Sequence, residues 1–210
     1  MIVVADASPL NYLVLIGHSE ILPYFYQRVL VPPSVWEELH DANTPVMVKA
    51  WIALAPAWLE RHPLNCPPDA SLNFLDPGER EAIALALELG ANRLIADETL
   101  AREEAKRRNV SVIGTLGVLR NAARAGLLAL PDALDKLQQT NFYVAPELIR
   151  SLLEEDASHR KLRGSRVRGN REHDSAFVMA VISSVAHLRL SRISCRASPP
   201  AVYSRLISLC

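Results

Sequence analysis

Short apolar runs alternate along the chain with longer stretches in which apolar residues recur every three or four positions. The short runs, rich in Val and Ile, predict buried strands, and the longer stretches predict helices that pack on them. Strands that alternate with helices are typical of a parallel sheet covered by helices on both faces. The GTLG segment is expected to close the last strand as a loop before a helix over residues 118–125. The strands are expected near residues 2–5, 28–31, 58–64, 92–97 and 110–113.

Helix start signals follow three of these strands. Ser8, just after the first strand, is expected to be the N-cap of the first helix. Ser34 and Glu37 have the S-x-x-E spacing of a capping box, which gives Glu37 a structural role. Asp76 is expected to cap the helix that follows the Pro-rich loop, with Glu79 at its third position.

An acidic residue stands at the carboxyl end of two predicted strands, Asp6 directly after the first and Asp97 as the last residue of the fourth. Right-handed crossovers would bring Asp6 and Asp97 to the same edge of the sheet, where open α/β folds bind ligands. Each acid also has an ordinary structural interpretation. Asp6 suits a strand-to-helix turn and Asp97 an N-cap, while Glu79 suits a helix cap and Glu38 a solvated helix position. Only their joint arrangement favours a metal site over these separate roles.

Charge is distributed unevenly along the 210 residues. The chain has 23 basic and 23 acidic residues, but residues 157–210 contain ten basic and only two acidic ones. We therefore predict a globular domain over residues 1–156 and a basic C-terminal extension over residues 157–210 that is poorly ordered. The extension is either a nucleic-acid-binding arm or an incidental addition, such as read-through beyond a natural end.

The three cysteines are few, odd in number and far apart, which favours a reducing compartment. Asp6 interrupts the first apolar run and no basic segment precedes it, so a signal peptide is not expected. The most apolar stretch of the extension is too short to cross a bilayer. We expect a cytoplasmic protein that does not interact with membranes.

Five segments carry motifs in a characteristic order: VADASPL (4–10), VPPSVWEEL (31–39), LDPGEREAIALA (75–86), LIADE (94–98) and IGTLGVL (113–119). Together they resemble PIN-domain proteins, in particular a prokaryotic branch of uncharacterised members with the G-T-L-G motif, near the VapC-type toxins. The resemblance covers roughly residues 1–156. It implies a three-layer α/β/α sandwich with a central, mostly parallel sheet, and a metal-dependent ribonuclease.

Four acids match the acidic positions of this family one by one. Asp6 and Asp97 match the aspartates after the first and fourth strands. Glu38 matches the acid of the E-L motif, and Glu79 matches the third acid, where many relatives have Asp. The resemblance implies that all four are catalytic residues and metal ligands. Asn11 departs from the pattern, which usually has an apolar residue at that position.

Carboxylate oxygens are the ligands that hard divalent ions prefer, so the cofactor is expected to be Mg²⁺ or Mn²⁺. Bound ions can activate water and offset charge on a scissile phosphate. The first hypothesis is an Mg²⁺-dependent endoribonuclease, possibly the toxin of a toxin–antitoxin pair. RNA is then the substrate, a small antitoxin protein the partner and a homodimer the assembly. The alternatives are a catalytically weak PIN module that binds RNA or protein and, less favoured, a DNA nuclease.

The acidic domain is a poor electrostatic match to RNA, because affinity for nucleic acid comes largely from phosphate neutralisation. Two groups of basic residues either form a local basic rim or only a solvated helix face. The first group follows Asp97 and the second shares one face of the next helix. The groups are Arg102, Lys106, Arg107 and Arg108, and then Arg120 and Arg124.

Overall fold

The computed structural model describes residues 1–162. Its five strands form one sheet in the order β3-β2-β1-β4-β5, and every neighbouring pair is parallel. Val4, in the central strand, lies opposite Leu30 on one side and Leu94 on the other. The strands are β1 (Val3–Ala5), β2 (Val29–Val31), β3 (Leu59–Arg61), β4 (Arg93–Ile95) and β5 (Val112–Ile113).

Helices cover both faces of the sheet because successive strand residues point to opposite sides. Val3 and Ala5 belong to one apolar core, whereas Val4 belongs to the other. This arrangement is the expected three-layer α/β/α sandwich. The helices are α1 (Ala7–Leu15), α2 (Ile21–Tyr26), α3 (Pro33–Leu39), α4 (Val46–Ala53), α5 (Pro77–Glu88), α6 (Thr99–Arg107), α7 (Thr115–Ala125), α8 (Leu130–Gln138) and α9 (from residue 146).

Helices α5 and α6 pack on one face of the sheet, and the Val3 face is covered mainly by α1, α2, α7 and α8. Helix α3 also packs closely against α5. Residues 163–210, most of the basic extension, lie outside the described residues, so both interpretations of the extension stay predictions. Within residues 1–162, no helix is long and apolar enough to cross a membrane.

Two predicted helix starts are wrong in detail. Helix α1 begins directly after Asp6, so Asp6 rather than Ser8 occupies the N-cap position. Helix α3 begins at Pro33, and the backbone N–H of Ser34 donates to Glu81 Oε2 over 2.9 Å. The acceptor is therefore a side chain of α5, 47 residues away, which the local S-x-x-E spacing could not indicate.

The GTLG segment is also not a loop. Helix α7 begins at Thr115, with Gly114 as its N-cap. Gly117 lies inside this helix, and a Cβ there would approach Ile113 Cγ1 to 2.7 Å. This glycine therefore serves close packing of the helix against β5, where the sequence suggested a turn.

Candidate functional site

Asp6 lies at the centre of the carboxyl edge of the sheet. Its backbone N–H donates to the carbonyl of Ile95 over 2.9 Å, which continues the pairing of β1 with β4 by one residue. The side chain is 4% exposed. A carboxylate so placed has lost most of its hydration, and burying an uncompensated charge is unfavourable.

The pKa of Asp6 is raised from 3.8 to about 7, and burial is the largest cause. The backbone N–H of Ala7 lowers this pKa, and the negative charges of Glu38, Glu79 and Asp97 raise it further. The four acids singled out in the sequence are therefore close enough to interact electrostatically. The structure brings all of them to one edge of the sheet.

Glu38 reaches this edge from α3, and Gly78 of α5 makes room for it. A Cβ at Gly78 would lie 3.1 Å from Glu38 Oε2 and 3.4 Å from Asp6 Oδ1. The two carboxylates therefore flank the same small space, which any larger residue would fill. Burial also raises the pKa of Glu38, with added contributions from Asp76 and Asp41.

Glu79 has the structural role that its position suggested. Its Oε2 accepts a hydrogen bond from the backbone N–H of Asp76 over 3.1 Å, as one half of a capping box. Burial raises the pKa of Glu79, and Asp76, Glu98 and Glu38 raise it further, while the bond to the Asp76 N–H lowers it. Glu79 therefore caps α5 and also lies close to the other acids.

Asp97 is not the N-cap of α6, since Glu98 occupies that position. Instead, its two oxygens accept from Thr115 at the start of α7, Oδ1 from the backbone N–H over 2.8 Å and Oδ2 from the hydroxyl over 2.6 Å. A Cβ at Gly114 would lie 2.8 Å from Asp97 Oδ1, so a side chain there would displace the carboxylate. Burial raises the pKa of Asp97 despite the bonds to Thr115, which lower it.

The donor set has the chemistry of a divalent cation site, because it consists of carboxylate oxygens. A cation would relieve the unfavourable burial of several like charges. The space beside Gly78 is a position at which oxygens of Asp6 and Glu38 converge. Within residues 1–162, no three His, Cys, Asp or Glu side chains are already drawn together around one metal position.

Three neighbours of the acids were missed by sequence reasoning. Gly78 and Thr115 lie inside the quoted motifs, but only the packing shows which acid each one contacts. Tyr12 of α1 is near Asp97, whose charge contributes to raising the tyrosine pKa after burial. No sequence signal points to Tyr12. Asn11, beside it, has a buried Oδ1 with no hydrogen-bond partner among residues 1–162.

The chain was compared with curated proteins, solved structures and protein-family models. No curated protein matches the chain significantly. One similar solved structure is a PilT N-terminus domain protein from the hyperthermophilic archaeon Sulfolobus solfataricus P2. It has 17% identity and a TM-score of 0.41, and the match covers 69% of this chain and 100% of that one.

The family model DUF3368, a PIN domain, matches residues 2–158. PIN domains generally have the fold of metal-dependent nucleases and typically use divalent ions. With three quarters of its length matched by that model, the chain belongs to the PIN-domain family.

Proposed function

We propose that this protein is an Mg²⁺- or Mn²⁺-dependent endoribonuclease that acts in the cytoplasm. The observation that carries the proposal is the position of Asp6. It is a buried acid at the carboxyl end of the central strand, and three further acids raise its pKa. Such a cluster is unfavourable without a cation and favourable with one, as in other carboxylate-bound metal sites.

Asp6 and Asp97 would hold the metal directly, and Glu38 and Glu79 directly or through water. A bound divalent ion supplies an activated water and offsets negative charge on the phosphate. Thr115 keeps Asp97 oriented by binding both of its oxygens. Gly78 leaves open the space between Asp6 and Glu38. No histidine or lysine is required as a base in this scheme.

The test is cleavage of a mixed RNA pool by the purified full-length chain with Mg²⁺, with Mn²⁺ and with EDTA. Asp6→Asn is the test variant and Asp135→Asn, on the exposed side of α8, is the matched control. We expect cleavage that requires a metal, is lost in Asp6→Asn and is unchanged in Asp135→Asn. Equal cleavage by Asp6→Asn would refute the proposed site.

A catalytically weak PIN module that binds RNA or protein is the second candidate. Two observations favour it. Glu79 uses one oxygen in the capping box, and residues 1–162 contain no group of three ligands already drawn together. Binding of Mn²⁺ by a folded sample that cleaves no RNA would support this candidate. A DNA nuclease is distinguished by supplying single- and double-stranded DNA in the same assay.

The toxin role, the antitoxin partner and the homodimer are further proposals that come from the family resemblance. A toxin is expected to arrest growth when expressed alone, and Asp6→Asn should relieve that arrest. Light scattering of the purified chain measures its mass and so tests the homodimer. Co-expression with the protein encoded next to it tests the partner, through relief of growth arrest together with co-purification.

A further inference from the structure

A cleft of about 460 Å³ opens beside Asp97 on the β5 side of the sheet. Its walls come from the end of β5, the start of α7 and the segment that leads into α9. Gly114 and Gly117 form part of one wall and contribute no side chains. The volume is in the range of pockets that hold small ligands. Asp97 lines the cleft, so one end of the cleft lies at the carboxylate site.

Two guanidinium groups line this cleft, those of Arg102 and Arg120. The Nε of each is buried and has no hydrogen-bond partner among residues 1–162. Buried donors without acceptors are unfavourable, so a ligand that supplies acceptor oxygens would stabilise them. Arg102 also lies near Asp97, since a Cβ at Gly114 would lie 2.8 Å from Asp97 Oδ1 and 3.7 Å from a terminal nitrogen of Arg102, so a positive charge stands beside the acidic site.

Three other arginines of the predicted rim form ion pairs with glutamates. Arg107 and Arg108 both pair with Glu104 of their own helix, over 2.9 and 2.8 Å. Arg124 pairs with Glu155 of α9, and Arg120 also forms an ion pair with Glu155, at 3.7 Å through one terminal guanidinium nitrogen. Arg102 and Arg120 differ from the other three arginines of the rim in that their buried Nε groups lack a partner among residues 1–162.

An aromatic side chain stands at the same cleft. Tyr143 is 88% exposed although it lines the cleft wall. The preceding residue, Phe142, packs edge-to-face on Tyr12 with ring centroids 4.7 Å apart, so the segment that carries Tyr143 is anchored to α1. Exposed aromatic rings beside arginines are the combination that single-stranded nucleic acids use for base stacking and phosphate contacts.

We propose that this cleft binds a nucleotide of single-stranded RNA next to the scissile phosphate, with its base on Tyr143 and its phosphate oxygens at Arg102 and Arg120. The proposal rests on the ribonuclease function proposed above. It gives an acidic domain a local position at which phosphate charge is neutralised. Single-stranded RNA is specified because a base within a duplex cannot stack on a side chain.

The test measures binding of a fluorescein-labelled 12-nucleotide RNA to the full-length chain by anisotropy. EDTA is present throughout, so that metal-dependent cleavage does not contribute. Tyr143→Ala is expected to weaken binding about tenfold, as the loss of one stacking platform, whereas Tyr143→Phe should bind like the wild type. Tyr24→Ala is the matched control, since Tyr24 is a 62% exposed tyrosine of α2. Binding is measured at 150 and at 400 mM NaCl, because the higher salt concentration weakens any electrostatic binding of RNA by the basic extension.

The arginines are tested through the salt dependence. Arg120→Gln should lower the slope of log Kd against log salt by about one, because one phosphate contact is lost. Arg150→Gln is the control, since Arg150 is a surface arginine of α9 that pairs with Glu147 of the same helix over 4.0 Å. Equal slopes for the two variants would overturn the role of Arg120.

The outcomes distinguish this inference from the proposed function. Equal affinities for Tyr143→Ala and Tyr24→Ala would overturn the cleft, even if the wild type cleaves RNA. A Tyr143-dependent affinity together with no metal-dependent cleavage would support the cleft and overturn the ribonuclease. Equal binding of a DNA strand of the same sequence would overturn the assignment to RNA.

Discussion

Thr115 binds both carboxylate oxygens of Asp97, its backbone N–H donating to Oδ1 over 2.8 Å and its hydroxyl to Oδ2 over 2.6 Å. The two bonds connect Asp97, two residues after β4, to the first turn of α7. Helix N-termini favour negative charge, so the ionised form of Asp97 is stabilised there. The orientation of Asp97 therefore depends on the helix that the GTLG motif begins.

Thr115→Val should reduce metal affinity and RNA cleavage. The variant keeps the shape of the side chain and the backbone bond but removes the hydroxyl that donates to Oδ2. Hydrogen bonds to charged groups contribute about 1.5–3 kcal/mol. Because the lost bond favours the ionised form, the pKa of Asp97 should rise and the acidic limb of the pH–rate profile should move to higher pH. Thr115→Ser retains a hydroxyl and should restore most of the activity; equal profiles for all three proteins would contradict this role.

Gly78→Ala should lower metal affinity without the usual gain in stability. Ala is about 1 kcal/mol more favourable than Gly inside a helix. At this position, however, the added Cβ would lie 3.1 Å from Glu38 Oε2 and 3.3 Å from Val35 Cγ2. Val35 is fully buried, so Glu38 is the residue that must move. The measurements are Mn²⁺ titration by calorimetry and thermal unfolding. A variant that is more stable and binds Mn²⁺ like the wild type would show that the space is not needed.

The two roles of Glu79 are separable by substitution. Glu79→Gln keeps an oxygen for the capping bond to Asp76 but removes the charge, so we expect near-wild-type stability and weaker Mn²⁺ binding. Glu79→Ala removes both and should also lower the free energy of unfolding by about 1 kcal/mol. Chemical denaturation and Mn²⁺ titration of both variants provide the comparison. If Glu79→Gln binds Mn²⁺ normally, Glu79 is a cap and not a ligand.

The stability of the metal-free protein should fall as pH rises from about 4 to 7. In the unfolded chain Asp6 has its ordinary pKa of 3.8, whereas in the fold the pKa is about 7. Within this window the unfolded state releases a proton that the folded state retains, so rising pH favours unfolding, by at most about 4 kcal/mol. Asp6→Asn has no such ionisation. In EDTA its advantage in Tm should therefore be largest near pH 8 and should shrink towards pH 5, and a constant difference would contradict the raised pKa.

Divalent metal should reduce the stability advantage of Asp6→Asn over the wild type at pH 8. A ligand that binds only the folded state stabilises it by about 2.7 kcal/mol at a concentration one hundred times its Kd. Mn²⁺ should therefore raise the Tm of the wild type and of Asp135→Asn, and leave that of Asp6→Asn unchanged. Differential scanning fluorimetry measures these shifts, and the assay does not depend on any RNA substrate. An equal Mn²⁺ shift in all three proteins would place the ion elsewhere.

Sequence reasoning was most successful where local chemistry determines local structure. The Asp76–Glu79 capping box and the strands that end before Asp6 and Asp97 depend on neighbouring residues, and the structure has them as expected. It failed where the partner is distant in sequence. Ser34 obtains its acceptor from Glu81, and Gly117 is a glycine because Ile113 lies against it.

The same distinction applies to the site. Four acids were predicted from motifs, and all four interact at one edge of the sheet. Tyr12 and Tyr143 carry no motif, because their proximity to Asp97 or to the cleft arises from the packing of α1 and of the segment before α9. Long-range packing of this kind is not encoded in any short window of the chain.

The central position of β1 has a consequence for synthesis on the ribosome. Asp6, Glu38 and Glu79 all emerge before β4, yet β4 is the direct neighbour of β1, and Asp97 follows it by two residues. Thr115, which orients Asp97, is made later still. Since domains generally fold as units during translation, a nascent chain that ends before Asp97 lacks a complete carboxylate cluster, and one that ends before Thr115 lacks the residue that orients Asp97. Under the proposed ribonuclease function, the messenger being read would therefore meet only an inert chain until most of the domain has been made.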